Sequence, residues 1–241
     1  MNKERQKSPI SIVTGGRGSL GLSIVRTLTA RGDTVYSLGR SRSKSNHIQV
    51  DVGSQTCSEA ILGTIGKEKI DNLVFAHRYR GDDSDKDFEV SLVAIKRIVE
   101  GIEHCFTREA SIVILSSVAA ISVVDEQSST YHATRAGLEG LARFFAVRHG
   151  PKGVRCNCVL PSTLIKRSNR KFFTKSNPVR QLIEEVTPLS RMGTTTDIAN
   201  AVEFLCSSNS SYITGQCIVI DGGLSLVNPE SIARRLTGLQ H

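Results

Sequence analysis

Short apolar runs alternate along the chain with longer segments whose apolar positions recur every three or four residues. Leu20, Ile24 and Leu28 follow that helical spacing, and Gly32 stands just past the last of them, where helices commonly end. The short runs predict strands over residues 10–14, 34–38, 47–50, 70–76, 111–115, 154–160 and 216–220. The longer segments predict helices over residues 20–31, 130–149 and 197–207.

This alternation predicts an α/β fold with a doubly wound parallel sheet, the Rossmann fold. The chain of 241 residues shows no linker, internal repeat or low-complexity segment. We therefore predict a single domain over residues 1–241. Residues 162–191 are predicted to form a long irregular stretch, and such stretches in compact domains are usually functional.

A glycine-rich string follows the first predicted strand directly and opens the first predicted helix. It reads Thr14-Gly-Gly-Arg-Gly-Ser-Leu-Gly21. Glycines let backbone N–H groups approach a pyrophosphate, and a helix N-terminus adds positive potential. The string therefore predicts a dinucleotide-binding site in a Rossmann-type domain. The contacts are expected from these residues: Gly15, Arg17, Ser19, Leu20 and Gly21.

The end of the second predicted strand indicates which dinucleotide binds. An acidic residue there would bind the ribose hydroxyls of NAD, but Gly39 occupies that place. The residues that follow it are Arg40, Ser41, Arg42, Ser43 and Lys44. Arginine offers a planar fork of donors to a phosphate, and Arg17 could join Arg40. We therefore expect NADP, with NAD as the alternative.

Composition excludes several other classes of protein. The net charge of +8 suggests nucleic acid as a partner, but no nucleic-acid module, basic-aromatic repeat or zinc-finger spacing is present. No stretch approaches the roughly 20 apolar residues of a membrane span, and the polar N-terminus lacks the apolar segment of a signal peptide. Cys156-x-Cys158 falls in a predicted strand and lacks the C-x-x-C spacing. We expect a cytoplasmic protein with no metal, nucleic acid or membrane partner.

Further motifs extend the pattern over roughly residues 8–225. Asp51-Val52 follows the third predicted strand, Ser116-Ser117 follows the fifth, and Tyr131-His-Ala-Thr-Arg135 opens a helix. Near the C-terminus stands Ile220-Asp-Gly-Gly223. With the glycine-rich string, these motifs resemble the classical short-chain dehydrogenase/reductase family. The resemblance implies a Rossmann fold, an NAD(P) cofactor, a small-molecule substrate and a homodimer or homotetramer.

The resemblance also implies the roles of individual residues. Tyr131 would exchange the proton with the substrate oxygen, Ser117 (or Ser116 as fallback) would hydrogen-bond that oxygen, and Arg135 would be the neighbouring cation. A tyrosine titrates near 10, so it needs such a cation to act at neutral pH. The spacing of four places Tyr131 and Arg135 on one helix face. Further cofactor contacts are implied for Asp51, Val52, Ala76, Tyr131 and Arg135.

Several positions depart from the family pattern. Ser19 replaces a glycine, Arg135 replaces the lysine, Ser91 falls about where an asparagine is usual, and Pro161-Ser162 replaces Pro-Gly. Residues 75–78, Phe-Ala-His-Arg, stand in place of Asn-Asn-Ala-Gly. Arginine keeps the charge of lysine but cannot relay a proton.

Two hypotheses follow. The first is an active oxidoreductase that interconverts a carbonyl and an alcohol. The alternative is a catalytically impaired dinucleotide-binding scaffold or regulatory protein. A lyase or isomerase on the same fold also stays open. His77 is read either as a substitute acid/base or as a residue that fills space.

In the family resembled, residues 162–191 correspond to the loop that covers the substrate. This loop carries several cations and no acidic residue between positions 164 and 180: Lys166, Arg167, Arg170, Lys171, Lys175 and Arg180. Such a cluster concentrates anions. We expect a phosphorylated, nucleotide-sugar or carrier-linked substrate, with Phe172 and Phe173 over its apolar part, or else a solvated basic lid. Residues 224–241 receive no assignment.

Overall fold

The architecture is a parallel sheet with helices on both faces. The structure, a computed structural model, describes residues 8–42 and 46–239. The strands are β1 Ile10–Thr14, β2 Thr34–Gly39, β3 His47–Gln49, β4 Ile70–Phe75, β5 Phe106–Leu115, β6 Arg155–Pro161, β7 Leu164–Ile165, β8 Gly193–Thr194 and β9 Cys217–Ile220. The α-helices are α1 Ser19–Arg31, α2 Cys57–Ile65, α3 Ser84–Phe88, α4 Ala94–Ile102, α5 Ser129–His149, α6 Pro178–Val186, α7 Thr195–Leu205 and α8 Pro229–Thr237.

The order of the strands creates the cleft that a ligand needs. The main sheet has seven strands in the order β3-β2-β1-β4-β5-β6-β9. Its strand pairs are all parallel. The chain moves outward in one direction from β1 to β3 and in the other from β4 onward. The carboxyl ends of β1 and β4 therefore flank the switch point where doubly wound sheets bind ligands.

The central strands are buried on both faces, which explains their continuous apolar runs. Along β5, Ile112 and Ile114 pack in the layer of α2, α4 and α5. Val113, between them, packs with Ile24 of α1 and Ile198 of α7 in the opposite layer. This alternation follows from the two-residue period of a strand.

The sequence predictions of the seven main strands and of the α/β fold are confirmed, with small shifts at the boundaries. β5 begins at Phe106 rather than at residue 111. α7 begins at Thr195 because Thr194 caps it, with Asp197 completing a reciprocal pair of hydrogen bonds. Sequence reasoning missed α2 and the segment from α3 to α4, which includes a π-helical turn at Glu89–Val93.

The expectation that residues 162–191 lack regular structure is wrong in two places. β7 pairs with β8 through Leu164 and Gly193 and ties the ends of this segment together. α6 begins after Asn177, whose side chain accepts the N–H of Arg180. Only Val186 of α6 is buried, so this short helix had little apolar pattern to reveal it. In the C-terminal tail, α8 begins after Asn228, whose side chain accepts the N–H of Glu230.

Within residues 8–42 and 46–239, no helix combines the length and apolar character needed to cross a membrane. The cysteines are free, and Cys156 and Cys158 are buried in β6. No group of three or more possible metal ligands occurs in the described part of the chain.

Candidate active site

A cavity of about 1080 Å³ opens at the carboxyl edge of the sheet, over the switch point. It brings together residues from the ends of β1, β2, β4, β5 and β6, the first turns of α1 and α5, and the start of the 162–191 segment. The residues predicted to bind the cofactor or to take part in the reaction all line it, namely Gly15, Arg17, Ser19, Leu20, Gly21, Arg40, Asp51, Val52, Ala76, Ser117, Tyr131 and Arg135. The individual roles of these residues stay predictions.

The glycine-rich string forms a tight turn that exposes its backbone to the cavity. Gly15 has φ of +66°, and a Cβ on it would lie 2.9 Å from the Cα of His77. A Cβ on Gly21 would collide with the carbonyl oxygen of Gly15. No described side chain caps α1, so the N–H groups of its first turn stay available to a phosphate. Ser19 is not among the residues of positive φ, which explains why a serine fits there.

Basic side chains lie at the end of β2. The guanidinium of Arg17 donates from Nη1 to the backbone oxygen of Arg42 at 3.2 Å, so Arg17 lies against the turn that carries Arg40. Asp51 and Val52 line the same end of the cavity, and the Asp51 carboxylate accepts the N–H of Gly53 at 3.0 Å. Ser43 and Lys44, named with this cluster, lie outside the described residues.

At the other end, hydrogen bonds distinguish the two candidate serines. Ser116 is buried, and its hydroxyl donates to the backbone oxygen of Arg135 at 2.8 Å. The Ser117 hydroxyl oxygen accepts the N–H of Ala119 at 3.2 Å, which leaves its hydrogen free to donate. The geometry therefore favours Ser117 over Ser116 as the group that meets a substrate oxygen.

Tyr131 lies in the first turn of α5, where Ser128 caps the helix by accepting the N–H of Tyr131 at 3.1 Å. The positive end of the helix dipole therefore faces this residue. The guanidinium carbon of Arg135 lies 5.1 Å from the centre of the Tyr131 ring. The predicted helix face thus holds the phenol and the guanidinium side by side.

Arg135 is only 2% exposed. Its Nε and Nη2 atoms have no hydrogen-bond partner within the described residues. Burial lowers the pKa of Arg135, while the charges of Tyr131 and Asp87 act in the opposite direction. Buried donors without acceptors are costly, and a ligand that supplies acceptors removes the cost. Together with the glycine turn, these donors fit a dinucleotide whose ribose hydroxyls reach Arg135.

His77 bridges two parts of the site. Its Nδ1 lies 2.7 Å from the Thr14 hydroxyl, and its Nε2 lies 2.9 Å from the backbone oxygen of Val90. Burial lowers the pKa of His77 to about 4, and the nearby Arg135 acts in the same direction. A neutral ring with both nitrogens engaged favours the space-filling interpretation over the acid/base one.

Ser91, which falls about where the family pattern has an asparagine, is paired with Asp87, whose charge acts on Arg135. The Ser91 hydroxyl donates to Asp87 Oδ1 at 2.6 Å and accepts the N–H of Tyr79 at 3.2 Å. Both side chains are buried. Sequence reasoning missed Asp87, whose signal was its position four residues before Ser91 on one helix.

Most cations of residues 164–180 lie away from the cavity. Of the six cations, only Lys166 lines the cavity. Arg180 pairs with Glu184 at 2.9 Å. The remaining four cations are exposed outside the cavity lining: Arg167, Arg170, Lys171 and Lys175. Two further arginines that do line the cavity, Arg78 and Arg80, follow β4 directly. The Arg-Tyr-Arg run at that strand end was the available signal for Arg80.

Comparison with known proteins agrees with this geometry. Residues 17–225 match a family model described as enoyl-(acyl carrier protein) reductase. An uncharacterized oxidoreductase of Schizosaccharomyces pombe is 31% identical over 91% of this chain and 92% of its own length. An L-rhamnose 1-dehydrogenase (NAD(P)(+)) of Sphingomonas is 33% identical over 58% of this chain and 56% of its own. The ligand-free aldohexose dehydrogenase of Thermoplasma acidophilum superposes with a TM-score of 0.81 at 28% identity, covering 92% of this chain and 96% of that one.

Fold and site together define a dinucleotide-dependent oxidoreductase of the doubly wound α/β class. The chain belongs to the classical short-chain dehydrogenase/reductase family, whose cofactor is NAD or NADP.

Proposed function

We propose that the protein interconverts a carbonyl and an alcohol with NADP(H), with Tyr131 as the acid/base group. The observation that carries the proposal is the meeting of three groups in one cavity. The Tyr131 phenol and the Ser117 hydroxyl both line it. The Arg135 guanidinium lies beside the phenol, and two of its buried donors have no partner among the described residues.

Bound NADP(H) supplies or takes up the hydride at the substrate carbon. In the reducing direction, the Tyr131 hydroxyl gives its proton to the carbonyl oxygen, and Ser117 donates a hydrogen bond to that oxygen. The Arg135 guanidinium and the first turn of α5 stabilise the phenolate that remains. Water that reaches the cavity then returns a proton to the phenolate, because a guanidinium does not release one.

The alternative of a catalytically impaired scaffold is not favoured by the comparisons, which show an oxidoreductase family. The residues agree with that result. Tyr131 and Ser117 are retained, and Arg135 keeps a positive charge at the position of the usual lysine.

The test of the reaction is Tyr131→Phe, assayed by the absorbance of NADPH with a panel of ketones and aldehydes. Loss of a positioned general acid is expected to lower kcat by roughly 10²- to 10⁴-fold. The affinity for NADPH, titrated by its fluorescence, is expected to change less than about threefold, because Tyr131 is one of many contacts. A phenylalanine variant as fast as the wild type would refute the acid/base role.

The preference for NADP over NAD rests on Arg40, with Arg17 beside it, at a strand end that carries no acid. Arg40→Gln is expected to weaken NADPH binding by roughly 10- to 30-fold, as loss of a charged hydrogen bond would. It is expected to leave NADH binding unchanged. Arg26→Gln, an exposed position of α1 outside the cavity lining, is the matched control. Equal losses for NADPH and NADH would overturn the preference.

We also propose an anionic substrate of the phosphorylated, nucleotide-sugar or carrier-linked type. It is supported by Lys166, the cation of residues 164–180 that lines the cavity, and by Arg78 and Arg80, which line it as well. Attraction between opposite charges weakens as salt screens it. The Michaelis constant is therefore expected to rise with ionic strength, and a flat profile would count against an anionic substrate.

A homodimer or homotetramer is proposed as the assembled state. Phe144 and Val147 expose 56% and 79% of their surfaces on the outer face of α5, and apolar groups exposed together favour association. Light scattering at micromolar concentration is the measurement, and a monomeric mass would contradict the proposal.

A further inference from the structure

We call Arg78, Arg80 and Lys166 the cation cluster, because the charges of the two arginines act on Lys166 and Arg78 lies beside the Tyr131 ring. All three line the cavity together with Tyr131 and Ser117. Two of them come from the connection after β4 and the third from the segment after β7. The cluster is therefore assembled by the fold and differs from the basic run seen in the sequence.

Arg78 is the member of the cluster that lies beside the ring of Tyr131. Its guanidinium carbon lies 5.7 Å from the centre of the Tyr131 ring, within the range of a cation–π contact. In the family pattern, a glycine stands at this position and offers no side chain. This chain therefore brings a positive charge to the phenol that the family pattern does not require.

Within residues 8–42 and 46–239, no carboxylate forms an ion pair with any member of the cluster, whereas neighbouring Lys86 pairs with Asp83 at 3.2 Å. Burial lowers the pKa of Lys166, and the positive charges of Arg78 and Arg80 lower it further. Like charges held together without a counter-charge destabilise the protein, and a bound anion relieves that repulsion.

The other cations of the 162–191 segment provide the contrast. Arg167 and Lys171 are exposed, as Arg78 and Arg80 are, but they lie outside the cavity lining. Arg180 already has Glu184 as its partner. These side chains are ordinary solvated charges. The cavity end of the segment, at Lys166, is the part that meets a ligand.

We propose that Arg78, Arg80 and Lys166 bind an oxyanion of the substrate, a carboxylate or a phosphate, beside the carbon that reacts at Tyr131. This assignment rests on the proposed function and deepens it. Guanidinium groups present paired donors that match either oxyanion. Because the cluster lines the cavity, it favours a small molecule that carries its own charge over a carrier-linked substrate.

The first test is equilibrium titration of inorganic phosphate into the full-length protein saturated with NADP⁺, which occupies the phosphate site near Arg40. Arg78→Gln and Arg80→Gln are each expected to weaken phosphate binding by about tenfold or more. Arg167→Gln changes an exposed arginine next to Lys166 that lies outside the cavity lining; it is the matched control and is expected to have no effect. Thermal midpoints confirm that each variant is folded, and Lys166→Gln provides a third variant.

The proposal is overturned if phosphate binds the Arg78, Arg80 and Lys166 variants as tightly as it binds the Arg167 variant. Failure of the proposed function is separable. If NADP⁺ does not bind, the phosphate titration is repeated on an Arg40→Gln background, where the cation cluster still decides the result.

The second test separates the two oxyanions by turnover of matched pairs. One pair is a keto acid and its methyl ester, and the other is a hydroxyketone phosphate and the free hydroxyketone. The anionic member of one pair is expected to have a kcat/KM about tenfold or more above its neutral partner, and Arg78→Gln is expected to remove that advantage. The favoured pair identifies the oxyanion. Equal rates within both pairs would overturn the proposal.

Discussion

The two ends of the cavity are built in different ways. At the glycine turn the lining is backbone, and Gly15 and Gly21 allow a close approach that a Cβ would block. At the reaction end, which holds Tyr131 and Ser117, the lining is side chains, with Arg78 and Arg135 both near the Tyr131 ring. A site built from backbone N–H groups tolerates serine in place of glycine at Ser19, because φ there is not positive. A side-chain site changes its chemistry with each substitution.

The largest effect on cofactor binding is expected from Gly21→Ala, which alters the glycine turn. The added Cβ must displace the carbonyl of Gly15, which distorts the turn that offers N–H groups to the pyrophosphate. NADPH binding is expected to weaken by roughly 100-fold, which corresponds to about 2.7 kcal/mol. Fluorescence titration with NADPH measures it.

Gly63→Ala is the matched control, because a Cβ at this exposed position of α2 meets no atom within 4 Å. It is expected to leave NADPH affinity unchanged and to stabilise the helix by about 0.5–1 kcal/mol. If the variants at Gly21 and Gly63 bind NADPH equally well, the pyrophosphate does not lie on the glycine turn.

The next effect in size concerns the charge at the reaction end. Arg135→Met removes the cation beside Tyr131 and is expected to lower kcat by roughly 10²- to 10³-fold, as loss of one electrostatic contact to the developing charge would. Arg135→Lys keeps the charge and adds a group that exchanges protons. Its rate is therefore expected to equal or exceed that of the wild type, measured by NADPH absorbance. An unimpaired methionine variant would show that the guanidinium has no part in the reaction.

The smallest effect on turnover is expected at His77, which lies between the two ends. The pKa of His77 in the folded protein is about 4, against about 6.5 in an unfolded chain. Between these values the unfolded state binds more protons, so stability falls as the pH drops from 6.5 to 4 and is unaffected above that window.

His77→Gln removes this dependence. The stability advantage of the wild type over the variant is expected to shrink by on the order of 3 kcal/mol between pH 7 and pH 4. Denaturant unfolding across this range measures it, while kcat at pH 7 is expected to change less than threefold. A constant difference in stability, or a large loss of kcat, would point to an acid/base role for His77.

The same contrast explains what the sequence could predict. The strands could be predicted from the sequence because buried parallel strands are continuous apolar runs. The glycine turn could be predicted because its backbone conformation requires glycine. α6 escaped prediction because it buries only Val186. The cation cluster escaped prediction because Lys166 stands far along the chain from Arg78 and only the fold brings them to one cavity. Asp87 escaped for a similar reason, since its importance comes from burial beside Arg135.

The measurement that tests the central claim most directly is a crystal structure of the protein with NADP⁺. We expect a dinucleotide across the carboxyl edge of the sheet, with its pyrophosphate on the glycine turn and its nicotinamide ribose hydrogen-bonded to Arg135 and Tyr131. A structure in which the nicotinamide ribose lies away from both side chains, or in which NADP⁺ does not occupy this cavity, would contradict it.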